Sequence, residues 1–269
     1  MRILGHEKAH QATLVPALAS EAAYASRLSA RSALYTDLRL LLDCREQLLS
    51  SREYRGLVID ENCLARASTA ARGKIWEELK KRYALDAANP LFAAFRTEWV
   101  RSTSEPERGL TAYCLLALND RLVADLGTEL LFPLLRRAPA PLRVADVLAF
   151  IERSLKTHPE VGSWSEKTKL ALAQKYTASV RDFGLAKGKV KKYTVRPALY
   201  GAPVRLLIRA LRLAGMSPPA LLQAPVFRLL GLAAGEEVVD ALGELHRLGE
   251  LHFRMQGDVI ELEIGGTAP

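Results

Sequence analysis

The sequence predicts a mainly α-helical protein built in two parts. Three observations carry that expectation: Leu, Ala and Arg dominate a composition only 7% aromatic, apolar residues recur at spacings of three and four, and capping side chains alternate with glycine and proline stops. At 269 residues and 49% hydrophobic content the chain is long enough to bury one large core or two smaller ones.

Leu14 to Leu28 and Ala33 to Leu49 each carry one apolar stripe at helical spacing. Leu57 to Leu64 reads as a short helix, and Ser68 caps a longer one ending near Tyr83, so the pair has a helix-turn-helix-like arrangement. Asn89 followed by Pro90 opens the next helix, with proline where its missing donor costs nothing. Ser104-Glu-Pro-Glu107 reads as a capping box that begins a helix through Leu118. The prolines of Ala138-Pro-Ala-Pro141 stiffen an extended connection, which places a boundary between an N-terminal domain, residues 1–138, and a C-terminal domain, residues 139–269.

Beyond that linker Val144 to Leu155 is helical, His158 to Ser163 is a loop, and Ser165 caps a helix to about Asp182 that Gly184 terminates. Leu172, Tyr176, Val180 and Phe183 share its buried face, while Lys167, Lys175 and Arg181 fall away from it. Lys187 to Arg196 is a basic turn entering a short strand closed by Pro197. Val204 to Ala214, a short helix from Ser217, and Gly235 to Leu248 follow. Two alternating runs, Leu251 to Met255 and Val259 to Ile264, joined through Gly257, then give a hairpin. Three helices and a hairpin make a winged-helix-like end.

Charge points to a partner. Between Trp164 and Arg196 nine cations (Lys167, Lys169, Lys175, Arg181, Lys187, Lys189, Lys191, Lys192 and Arg196) face only Glu166 and Asp182, so this stretch is +7 in a chain of net charge +8. Clustered cations sum their fields over the same few phosphates, which is a stronger pointer to nucleic acid than a high pI spread evenly. The expected phosphate contacts are Lys187, Lys189, Lys191, Lys192 and Arg196, supported by Lys167, Lys175 and Arg181, with Tyr193 as an aromatic contact. A second patch lies at the helix-turn-helix-like element, where Ser68, Thr69 and Arg72 occupy the start of the second helix beside Arg66 and Lys74. The third helix of the C-terminal end carries Glu236, Glu237, Asp240 and Glu244, which repel phosphate and suit packing on protein.

Other chemistries find little support in the residues. Gly184-Leu-Ala-Lys-Gly188-Lys189 has three residues between its glycines where a phosphate-binding loop needs four, and Val190 stands where that loop places Ser or Thr. His6, His10, His158, His246 and His252 do not cluster at zinc-site spacing, and no nucleophile elbow is present, so neither metal, cofactor nor catalytic residue is expected. No apolar run is long enough for a membrane span, and the three scattered cysteines, Cys44, Cys63 and Cys114, suit a reducing, cytoplasmic setting.

The order of several motifs resembles the BrxA family of BREX bacteriophage-defence systems. They are Asn62-Cys-Leu before Arg66-Ala-Ser-Thr69, Trp164-Ser165 with the lysine-bearing helix, Val180-Arg-Asp-Phe-Gly-Leu185 with the basic segment, and the Gly257-Asp-Val-Ile260 hairpin. The likeness runs from about Tyr35 to Ile264. It implies a mainly helical, non-enzymatic DNA-binding protein that works alongside other BREX proteins, and it carries over no catalytic residue. The combined expectation is a binder of double-stranded DNA through its backbone with weak sequence preference. An assembly adaptor that docks defence proteins is the alternative, and the residues do not distinguish DNA from RNA.

Overall fold

The computed structural model describes residues 15–19, 22–257 and 259–265. The N-terminal half follows its local caps. α1 (Tyr35–Asp43) is followed by α2 (Ser51–Ile59), which opens on a full capping box between Ser50 and Glu53. α3 (Thr69–Tyr83), α4 (Pro90–Arg101) and α5 (Glu105–Asn119) begin at Ser68, Asn89 and Ser104, whose side chains accept from the amides of Ala71, Phe92 and Glu107. α6 (Arg121–Asp125), a π-helical turn (Leu126–Leu131) and α7 (Phe132–Arg136) carry the chain to the proline-rich connection. From Gly109 to Asn119 every residue of α5 is buried, so it is the core helix on which the others pack.

Four expectations are corrected. Leu14 lies outside the described residues, and from Val15 to Leu28 the described positions hold only short 3-10 turns, Pro16–Leu18 and the start of Arg27–Ser29. Pro16 breaks the helical pattern, and the apolar residues serve a strap instead: Tyr24 stacks on His158 with ring centroids 3.5 Å apart and donates its hydroxyl to Asp125 at 2.8 Å. The helix of Ala33 to Leu49 is shorter, ending at Asp43. The short helix expected at Leu57 to Leu64 instead spans Ser51–Ile59, because the Ser50 box starts it earlier, and the connection to α3 runs over residues 60–68 rather than a tight turn. Glu107 completes no box with Ser104; its carboxylate accepts from the amides of Thr103 and Ala202, both at 3.2 Å.

Past residue 138 the chain forms β1 (Pro141–Leu142), α8 (Val144–Ser154), a 3-10 turn (Pro159–Ser163), α9 (Glu166–Asp182), β2 (Ala186–Lys187) and β3 (Lys192–Thr194). The three short strands make one antiparallel sheet in the order β1-β3-β2. Residues expected to be a plain linker therefore supply an edge strand. α10 (Gly201–Leu213), α11 (Pro218–Leu222), a 3-10 turn (Pro225–Leu230) and α12 (Glu236–Arg247) precede the hairpin of β4 (His252–Gln256) and β5 (Val259–Glu263).

Buried residues form one hydrophobic cluster reaching from Val15 to Leu262, across the 138 connection. α10 rests on α4 and α5, where the fully buried Glu98 accepts from Arg205 Nε at 2.7 Å and Arg209 Nε at 3.2 Å. Burial lowers the pKa of Arg205, but Glu98 and Glu250 more than offset it, and the net shift is upward. Among the described residues no helix is long and apolar enough to cross a membrane.

Candidate nucleic-acid interface

α9 is set by Ser165, whose hydroxyl accepts from the Thr168 amide at 3.2 Å. Leu172, Ala173, Tyr176 and Val180 form its buried stripe, and Lys167, Leu170, Gln174 and Lys175 are exposed on the other side. Not every cation on this helix is free. Lys169 turns inward, its side chain only 8% exposed, and bonds Glu152 at 2.8 Å and Glu166 at 3.0 Å. Those two carboxylates hold its ammonium above the usual lysine range. Arg181 bonds Asp182 at 2.7 Å.

The segment after α9 is anchored before it leaves the core. Phe183 sits between Tyr35 and Tyr113, at centroid distances of 5.4 Å and 5.6 Å, and a Cβ on Gly109 would meet the Phe183 carbonyl oxygen at 2.8 Å. That close approach requires glycine and fixes α5 against the end of α9. Gly184, at φ +83°, then turns the chain. Buried Thr194 accepts from the Ala140 amide at 3.1 Å and donates to the Leu134 carbonyl at 3.0 Å, which ties β3 to the connection before β1.

Residues 186–194 are a hairpin, not a bare basic turn. Lys187 pairs with Tyr193 across the strands, so both lie on one face, and both are exposed. Lys192 stands opposite Leu142 on the other face and is half-buried. Gly188 has φ +103°, and a Cβ there would lie 2.0 Å from the Lys191 carbonyl oxygen, so only glycine permits the turn. Lys189 and Lys191 are exposed at the tip on either side of Val190. The glycines that mimic a phosphate loop in sequence thus end a helix and close a hairpin.

Of the nine cations from 164 to 196, Lys169 and Arg181 are paired with carboxylates, leaving seven that form no ion pair among the described residues. Arg196 is exposed and lines two clefts, one of about 500 Å³ with Glu237, Asp240 and Glu244 of α12 and one of about 420 Å³ with Lys187 at the base of the hairpin.

The second patch comes apart. Arg66 pairs with Asp37 of α1, and Arg72 donates to the Ile59 carbonyl at the end of α2 and, at 3.1 Å, to Thr69 Oγ1. Ser68 is spent on capping. Lys74 alone among these cations is exposed without an ion pair among the described residues. No group of three or more His, Cys, Asp or Glu side chains placed to hold a metal occurs among the described residues.

Leu170 and Gln174 are exposed beside Lys167 and Lys175 on α9. Charge counting ignores uncharged residues, whereas the helical spacing that marked the buried stripe of α9 also marks Leu170 and Gln174 as outward.

A helical protein with a +7 segment that ends in a buttressed, lysine-tipped hairpin is a candidate polyanion binder by class. A family model, BrxA, matches residues 22–211, and the chain belongs to that family, whose members are components of BREX phage-defence systems. The match starts before Tyr35 and stops within α10, so it contains the whole β1-to-β3 unit; α11, α12 and the closing hairpin lie outside it. No curated protein matches the chain.

Proposed function

We propose that this BREX-family protein is a non-enzymatic, cytoplasmic binder of double-stranded DNA, acting through the unit from β1 to β3. The observation that carries this reading is the connectivity. A strand, two helices joined by an eleven-residue connection that holds a 3-10 turn, and a hairpin, with the last strand central in the sheet, resembles the order of winged-helix modules, in which the second helix enters the major groove and the hairpin meets the flanking backbone. α9 would be the groove helix, offering Lys167, Leu170, Gln174 and Lys175, and the β2–β3 hairpin the wing, with Lys187, Lys189, Lys191 and Tyr193. Most of these contacts go to phosphates, so sequence preference is weak.

A second reading has its own observation. α12 exposes Glu236, Asp240 and Glu244, an acidic face that suits a basic protein surface and supports an adaptor role toward other BREX proteins. The test reverses Lys187, Lys189 and Lys191 to Glu and measures competition among duplex DNA, single-stranded DNA and RNA by gel shift. Duplex preference in the wild type, with a loss of roughly a hundredfold or more in the variant, is expected. Undiminished binding, or a preference for RNA, would overturn the proposal.

A further inference from the structure

Val190 is 92% exposed, the most exposed large hydrophobic residue among those described, against 67% for Val259. Single exposed apolar residues are ordinary on a protein surface, so exposure alone says little. Its position says more. Val190 sits at the apex of the β2–β3 hairpin between Lys189 and Lys191, with Lys187 and Tyr193 behind it on the outer face. The turn does not need it: the required conformation is supplied by Gly188, and the Lys192 ammonium bonds back to the Lys189 carbonyl at 3.3 Å, holding the tip in shape. A β-branched residue is also a poor choice for a solvated turn, where Asn, Asp, Gly or Ser serve better.

We infer that Val190 is a wedge that inserts from the minor-groove side of a duplex and bends it, an inference that rests on the DNA-binding reading above. Two adjacent strands lie about 4.8 Å apart before their side chains are counted, whereas the minor groove of regular B-form DNA is only about 6 Å wide. The hairpin tip therefore does not fit the undeformed groove. An apolar side chain that parts a base step opens that groove and kinks the helix away from it, toward the major groove. The flanking ammonium groups of Lys189 and Lys191 then meet the phosphate rows on either side, which compensates the unstacking. Pyrimidine–purine steps unstack most easily and would be the preferred insertion points. Weak sequence preference and a preference for deformable steps are compatible, since neither needs hydrogen bonds to base edges.

The test is Val190→Ser, with Val190→Leu as the conservative variant, each compared with wild type in energy transfer between the ends of a labelled duplex carrying one central TA step. Val190 packs on almost nothing, so the substitutions leave the fold intact. Wild type and V190L should bend the duplex by about 20° or more. V190S should leave it nearly straight while binding within about threefold at low salt and with the same salt dependence, because the phosphate contacts are untouched. Wild-type binding without bending, or equal bending by V190S, would overturn the wedge and leave the DNA-binding reading standing. Failure of wild type to bind duplex at all would remove both. Co-sedimentation with phosphatidylserine vesicles that depends on Val190, together with an unbent duplex, would overturn the wedge in favour of a lipid contact.

Discussion

The unit from Pro141 to Thr194 and the segment from Gly201 to Glu263 both run through helices into a two-stranded hairpin, yet they carry opposite charge. Residues 141–194 are +6, whereas residues 201–263 hold six arginines, no lysine and eight acids, a net of −2. In the first, the cations crowd an exposed tip. In the second, Arg205 and Arg209 are turned inward onto Glu98, and Glu236, Asp240 and Glu244 of α12 face out. Similar element order therefore does not imply a shared ligand, and the sign of the outward side chains separates the roles.

Breaking the inward half of this contrast has the largest expected effect. Glu98→Ala leaves two guanidinium groups without their buried partner, and thermal or denaturant unfolding should show a loss of about 3–5 kcal/mol. Its effect on DNA binding by the remaining folded protein should be small, since α4 and α10 lie outside the basic unit. Gly188→Ala comes next. The tip conformation is closed to a Cβ, so the hairpin must rearrange at about 1–3 kcal/mol of local strain, and duplex affinity should fall without a loss of helix content by circular dichroism. The smallest effect sharpens the comparison. Replacing Glu236, Asp240 and Glu244 with Gln should change duplex affinity by less than about threefold at 0.15 M salt, while weakening any complex with a basic protein partner. A large gain in DNA binding would show that the acidic face lies against the duplex.

Local chemistry was legible in the sequence. Ser68, Asn89, Ser104 and Ser165 cap helices because an N-cap is decided within four residues, and Gly184 takes the positive φ its position predicts. The closing hairpin followed from plain alternation. The Ser50–Glu53 box is equally plain in the spacing, ahead of the apolar run that follows it. What depends on distant partners was not legible. Lys169 looks as free as Lys167 until Glu152 arrives from α8, and nothing near Arg66 and Arg72 in the sequence announces their partners, Asp37 and the Ile59 carbonyl. β1 is not legible because Pro141 and Leu142 carry no strand signal of their own, and only pairing with β3 makes them a strand.

The contrast drawn here stands or falls on the phosphate contacts of the β2–β3 hairpin, and the salt dependence of duplex binding reads them directly. With about six phosphates neutralised, log affinity against log salt should have a slope near −5, and replacing Lys187, Lys189 and Lys191 with Gln should bring it to roughly −2 to −3. A wild-type slope near zero, or a slope unchanged by the three substitutions, would contradict it.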